Sequence, residues 1–512
     1  MPRRAAIASL GATLTALVVV ALVTALIGGG AIVGSARAGA TPASGLLTWT
    51  KCHSGFECAT LDVPVDYRHP DGEQVGIAVI RKRATDLAHR IGSLVINFGG
   101  PGDPGTETLR LAIKTLPAEV RRRFDIVSFD PRGTGSSRPV DCIDDKTFDR
   151  LSSIDSTPDS PAELQKYYDG SVSDVDVIAA CIARQGAWLA DVGTRNVARD
   201  LDRLRIALGE RRLTYLGYSY GTMLGAVYAQ EFPDNIRALV LDGAVNLSSS
   251  AQDQLVRNTA GFEHALGAFL ANCAADRSCS YHSGGRPRAA LLRLRDRFEG
   301  GLTLPAADGR RVGVSEFYVT LLAALYSEQS WPILADALHG ASANGDGTLM
   351  RLVNDAFSGR RANGTYNNLQ EAIGIINCDD RPAPRVSFDS FRSTFDQLSS
   401  KYPFFGRVLA AGPTGCDPRL PKPAAGETIG DLHAADAPPI LIVGTTHDPA
   451  TPYAGALDLQ RRIASSRLLT VEATQHGGYA QGSACVDTAV DHYLLQLVLP
   501  PRGSRCSATP RA

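Results

Sequence analysis

The chain has 512 residues, 44% of them hydrophobic, enough apolar material for one large core plus a second unit or a big insertion, which excludes a disordered chain. Its 52 basic and 53 acidic residues leave a formal charge of −1, and no basic tract is longer than Arg121-Arg122-Arg123. This excludes nucleic acid as a partner on electrostatic grounds and favours a small or neutral molecule.

In chain order, the N-terminus reads as an export signal: Pro2-Arg3-Arg4 is a basic start, residues 5–34 are almost wholly apolar or small, and Ala36-Arg37-Ala38 is an A-x-A cleavage pattern, so residues 1–38 would be removed and the mature chain would begin near Gly39. The apolar run is also long enough to span a bilayer, so an uncleaved anchor with membrane association is the alternative. Both readings put the rest of the chain outside the cytoplasm, secreted or at the cell surface.

Runs with strand character follow at Gln74–Arg81, Ser93–Phe98, Asp125–Asp130, Leu213–Tyr218, Arg237–Asp242, Pro439–Gly444 and Arg467–Ala473. Several are continuously apolar, as strands buried on both faces are. With helical segments at Leu109–Arg122, Arg195–Leu208 and Thr222–Phe232 between them, they predict an α/β architecture with a mostly parallel sheet and helices on each side. Between Asp242 and Pro439 the strand rhythm stops and gives way to helical stretches at Asp253–Cys273, Pro287–Phe298, Ser315–Leu325 and Leu349–Phe357. Residues 39–245 and 431–512 thus read as two parts of one core, and 246–430 as a large, mainly helical inserted cap, with Ala410–Pro439 as a Pro, Ala and Gly-rich linker back to the sheet.

Ten cysteines fall into sequence-local pairs: Cys52 and Cys58, Cys142 and Cys181, Cys273 and Cys279, Cys378 and Cys416, Cys485 and Cys506. Loop-closure economy and an oxidising location predict five disulfides in that pattern, although the sequence leaves other pairings open. There is no C-x-x-C, no H-E-x-x-H and no clustered His/Cys set, so neither a metal centre nor a redox dithiol is expected, and no cofactor.

The chemistry concentrates at Leu213–Gly221, LTYLGYSYG, which ends in Gly217-Tyr218-Ser219-Tyr220-Gly221 and runs on as a helix. G-x-S-x-G alone is weak in so glycine-rich a chain. Its position after a strand and before a helix makes it a nucleophile elbow, with flanking glycines that let Ser219 sit strained and exposed. Partners follow in the order Ser, Asp, His: Asp448 in the loop after ILIVG, His476 in the loop after LLTVEAT, both at strand carboxyl ends where catalytic groups gather. Asp242 also ends a strand and competes for the role of the acid, and Asp448 has a bland reading as a cap of the helix at Ala454–Ile463. His492 lies in the periodic DTAVDHYLLQLVL and reads as a helix-surface or core residue, and His447 has no arguable role. The glycine-rich Asn97–Gly102 loop after a strand suits an oxyanion hole built from the backbone N–H groups of Gly100 and Tyr220. Asp130–Ser137, DPRGTGSS, lacks the Lys and spacing of a P-loop and reads as a structural turn.

These motifs in this order resemble the secreted tripeptidyl aminopeptidases of the α/β-hydrolase superfamily, relatives of the prolyl aminopeptidases. The likeness spans nearly the whole mature chain and rests on GGPG at Gly99–Gly102, DPRGTGSS, GYSYGT at Gly217–Thr222, THDPATPY at Thr446–Tyr453 and QHGGY at Gln475–Tyr479. Phe98 departs from the Pro or His expected before the glycine pair. The resemblance implies a helical cap and a secreted serine exopeptidase that frees short peptides, typically tripeptides, from free N-termini. His476 would take the Ser219 proton, Asp448 would orient the imidazole, and an acyl-enzyme would form and hydrolyse. Reading a protonated α-amine needs a carboxylate, for which Glu371, Asp379 and Asp380 in LQEAIGIINCDD are the candidates, each with a bland reading as a solvated helix end. An esterase or lipase on the same triad, or a non-catalytic surface binding protein, are the alternative readings.

Overall fold

The computed structural model describes residues 47–412 and 415–507; the export segment expected at 1–38 lies outside them. Twelve strands are described: β1 (Thr50–Lys51), β2 (Glu57–Pro64), β3 (Gln74–Lys82), β4 (Gly92–Asn97), β5 (Phe124–Phe129), β6 (Leu213–Tyr218), β7 (Ile236–Asp242), β8 (Leu304–Pro305), β9 (Arg311–Val312), β10 (Leu441–Thr445), β11 (Arg467–Glu472) and β12 (Arg505–Ser507). Ten of them form one sheet in the order β1-β2-β3-β5-β4-β6-β7-β10-β11-β12. Pairing is antiparallel from β1 through β3 to β5 and parallel from there on.

Every residue of β4, β5, β6 and β10 is buried, because helices cover both faces. Alternate side chains feed two cores: Val95, Val127, Tyr215, Leu239 and Ile442 pack with helices Thr194–Ala207, Tyr220–Glu231 and Ala454–Arg462. Leu94, Ile126, Leu216, Val240 and Val443 pack on the other face with helices Gly105–Ala112 and Ala484–Gln496. This is the α/β-hydrolase arrangement, with the strand ends of β6, β7, β10 and β11 forming one rim. The predicted helix Leu109–Arg122 is two, Gly105–Ala112 and Ala118–Arg123, because Pro117 between them lacks an N–H and crowds the turn before it. Three helices between β5 and Thr194 (Asp145–Ser152, Pro161–Asp169 and Val177–Gln185) are further additions to the expected pattern.

The chain leaves the sheet after β7 and returns at β10. In between, helices such as Ala251–Ala275, Pro287–Glu299 and Val314–Ala324, with the small β8–β9 hairpin, enclose a separate apolar core around Phe269, Phe298, Phe317 and Leu334. One helix of this insertion, Leu369–Asp380, behaves differently: its Ala372, Ile375 and Ile376 join the core of the sheet. All five cysteine pairs are bonded in the expected neighbour pattern. Among the described residues no helix is long and apolar enough to cross a membrane.

The DPRGTGSS loop holds the fold's most deeply buried cation. Arg132 has no exposed surface and donates to both Asp200 oxygens at 2.7 Å and to the carbonyls of Pro64, Val65 and Asp191. Removing one partner of such a pair strands the other, so Asp200→Ala is expected to cost about 3–5 kcal/mol; an unchanged midpoint in denaturant unfolding would contradict this.

Candidate active site

Ser219 is positioned by backbone geometry. At φ 55° and ψ −122° it stands between β6 and the helix Tyr220–Glu231, a region few non-glycine residues occupy and one that signals a strained, over-determined turn. A Cβ on Gly217 would collide with the Gly221 carbonyl, and one on Gly221 would come within 2.8 Å of Asn97 O, so the flanking glycines are steric necessities. The strain is held by two bonds, Ser219 N to Asp242 O at 2.9 Å and the Thr222 hydroxyl to Ser219 O at 2.6 Å.

Asp448 and His476 meet at the same rim. The imidazole Nδ1 lies 3.0 and 2.9 Å from the two Asp448 oxygens, and the carboxylate also accepts from the N–H groups of Ala450, Thr451 and Gly477. The Thr451 hydroxyl completes the cluster, 2.9 Å from Asp448 Oδ2 and 3.1 Å from His476 Nδ1. Three residues after the acid in DPAT, it is an Asx-turn partner legible in hindsight. Gly243 is next to the residue that holds Ser219 N, and a Cβ on it would stand 3.1 Å from His476 Cε1, which brings the imidazole beside the elbow. Among the described residues Ser219 Oγ makes no hydrogen bond; the hydroxyl-to-imidazole contact commonly tightens only with substrate.

Burial pulls the His476 pKa down, but the charge and hydrogen bond of Asp448, helped by Asp242, overcome it and carry the net shift upward. An imidazole held this way presents Nε2 as a base and is stabilised once protonated. Asp242 does not contact the imidazole as the acid would. Its fully buried carboxylate, pushed up to about 6 by burial, accepts from Gly478 N at 3.0 Å and Tyr479 N at 2.8 Å and so fixes the loop carrying His476.

The Gly99–Gly102 loop lies against the elbow: a Cβ on Gly99 would stand 2.9 Å from Ser219 Cβ. Gly99 N–H is occupied by Asn97 Oδ1 at 3.1 Å. Tyr220 opens its helix, where backbone N–H groups lack intrahelical partners, and with Gly100 it is the donor pair expected at an oxyanion hole. Phe98 stacks on Tyr218, ring centroids 6.2 Å apart. The neighbouring DPRGTGSS loop braces this one, since Asp130 accepts from both Thr106 N and Ser136 N at 2.8 Å.

The three acids offered for an amine do not converge on this rim. Glu371 accepts from Cys142 N and Ile143 N. Asp380 accepts from Thr194 N and its hydroxyl, which also lies 2.6 Å from Tyr220 OH. Asp379 accepts from Val192 N, is pushed up to about 8 by burial and then by the charge of Asp380, and lines a 350 Å³ cavity with Leu189, Ile375, Pro384 and Leu420. His492 is an exposed helix residue, and His447 stacks on His264 of the insertion at 4.4 Å. Sequence reasoning missed Tyr326 from the insertion, whose carbonyl accepts His476 N–H at 2.7 Å and whose ring meets the imidazole edge-on at 5.4 Å. No periodicity or motif marks it.

Comparison with known proteins agrees with this geometry. Residues 92–284 match the α/β-hydrolase fold model and residues 402–506 the TAP-like protein model. The chain is 38% identical to the serine protease Hip1 of Mycobacterium tuberculosis, over 99% of each chain. The chain belongs to the TAP-like family of α/β hydrolases. It is a serine hydrolase of the peptidase type. Other relatives are a tripeptidyl aminopeptidase of Streptomyces lividans, 31% identical over 93% of this chain and 90% of the relative, and a carboxylesterase B of M. tuberculosis, 34% identical over 92% of each.

The upward shift at His476 has a sign that can be read. The imidazole is expected to charge at a pH above its ordinary 6.5, so the rate of fluorophosphonate labelling should fall on an acid limb centred above that value. Asp448→Asn should move the limb down and cut turnover by roughly 10⁴-fold. A limb that stays in place in the variant would show that Asp448 does not set it.

Proposed function

We propose that the protein is an exported exopeptidase that removes short peptides, typically tripeptides, from free N-termini. The observation that carries the catalytic part is the imidazole of His476 held by both Asp448 oxygens beside the strained turn of Ser219. In this reading Ser219 Oγ attacks the scissile carbonyl and His476 takes its proton. Asp448 stabilises the imidazolium, the N–H groups of Gly100 and Tyr220 hold the oxyanion, and water releases the acyl-enzyme. Residues 246–430 act as the cap that closes one end of the site. The five disulfides support an oxidising, extracellular location, and residues 1–38 are assigned to export, either cleaved or kept as an anchor.

The exopeptidase part draws on the relative named tripeptidyl aminopeptidase. Glu371, Asp379 and Asp380 each accept from backbone amides of the core away from the catalytic rim, so none of them is assigned to the substrate amine. The relative named carboxylesterase B favours a second reading, ester hydrolysis by the same three residues.

Ser219→Ala is expected to abolish fluorophosphonate labelling while the protein stays folded, since loss of the nucleophile removes nearly all acceleration beyond binding; persistent labelling would refute the assignment. Tripeptide anilides with free amines should be cleaved at least about tenfold faster than their acetylated forms or short esters, a preference that an amine-to-carboxylate contact supplies. Equal rates in the wild type would favour the esterase.

A further inference from the structure

The loop carrying His476 leaves the sheet at Glu472, and from there its amides are held by side chains and by other loops. From the core, Asp448 takes Gly477 N, and Asp242 takes Gly478 N and Tyr479 N. The amides on the other side of the histidine are held by the insertion: Tyr326 O takes His476 N at 2.7 Å, and Glu328 Oε1 takes Thr474 N at 2.8 Å. Both acceptors sit on one short segment, which leaves the helix Val314–Ala324 and enters the 3₁₀ turn Glu328–Ser330. Glu328 is thus the one side chain of that segment gripping the backbone two residues before the imidazole.

We infer that Glu328 is a positioning residue for His476, through which the insertion sets the register of the base against Asp448 and Ser219. The inference rests on Ser219 and His476 acting as nucleophile and base. The physical case is one of tolerance. A catalytic group misplaced by about 1 Å can lose on the order of 10²-fold in rate, and on the N-terminal side of the histidine the core reaches no closer than the Ala473 carbonyl, which accepts from His447 N at 3.1 Å. Between Ala473 and the histidine, the amides of Thr474 and His476 are held by Glu328 and Tyr326 O. The acceptor needs an oxygen at the end of a side chain of this length and does not need its charge, so Gln should substitute where Ala cannot.

The test is the second-order rate of fluorophosphonate labelling of the full chain across pH, which needs no knowledge of the substrate. Glu328→Ala should lower the plateau rate about tenfold or more, with Glu328→Gln within about twofold of wild type, the margin of a retained hydrogen bond. Gln329→Ala, which removes a bond from the same turn to Gln481 O, should leave the rate unchanged. The groups facing the imidazole are Asp448 and Asp242 from the core and Tyr326 from the insertion. A histidine that slips from Asp448 loses part of its upward shift, so the acid limb should move to lower pH in Glu328→Ala. Partial unfolding would scale the amplitude and leave that midpoint in place. Labelling of Glu328→Ala at the wild-type rate, or equal losses in the Ala and Gln variants, overturns the inference. If Glu328→Ala does not accumulate folded, Glu328→Asp decides, because it withdraws the oxygen by one methylene: a slowed rate with a shifted limb supports the role and a wild-type profile overturns it. A wild-type protein that does not label at Ser219 overturns the serine reading itself and is thereby distinguished from a failure at Glu328.

Discussion

Asp242, at the end of β7, is bonded from both of its ends. Its carbonyl takes the N–H of Ser219, and its carboxylate takes the N–H groups of Gly478 and Tyr479. A single residue with no exposed surface therefore ties the turn that strains the serine to the loop that carries the histidine. Its burial is tolerable because each oxygen is satisfied by backbone donors, the condition under which a buried carboxylate can be kept. Without that tie, the two loops would depend on separate strand ends for their spacing, and a strained φ at Ser219 would have less to hold it.

The insertion touches the oxyanion loop, the acid and the base. Helix Ala251–Ala275 packs Gly261 against the backbone of Pro449, next to the acid. The segment around Tyr326 holds the histidine loop, and Leu369 and Ala372 of helix Leu369–Asp380 press on Gly100 and Gly102. Asn368, just before that helix, binds Gly135 N and the carbonyls of Gly133 and Val140. An element with its own apolar core is therefore joined by polar contacts and close packing to the oxyanion loop, the acid and the base at once.

Much of this was legible in the sequence, and the legible parts share a cause. The elbow, the acid, the base and the cysteine pairs are each set by local chemistry: glycines where a Cβ cannot fit, residues at strand ends, short closures. The sheet was readable because strands covered on both faces leave continuous apolar runs. What escaped depends on side chains that meet across long separations. Tyr326 and Glu328 look like any helix exit, and the commitment of Glu371 and Asp380 to backbone amides at Cys142, Ile143 and Thr194 cannot be seen without the packing of helix Leu369–Asp380. Pro117 was visible, yet the apolar period around it favoured one continuous helix. The helices from Asp145 to Gln185 are short and fully bury at most one side chain each, so they leave no long apolar run in the sequence.

The order of these parts along the chain has a temporal side. Synthesis delivers the elbow early, the insertion next, and the acid and histidine within the last stretch before β12. A chain still emerging from the ribosome carries an exposed serine without anything to activate it, and the histidine arrives only when the segment that grips it is already made. Hydrolytic power is thereby withheld from the unfinished polypeptide.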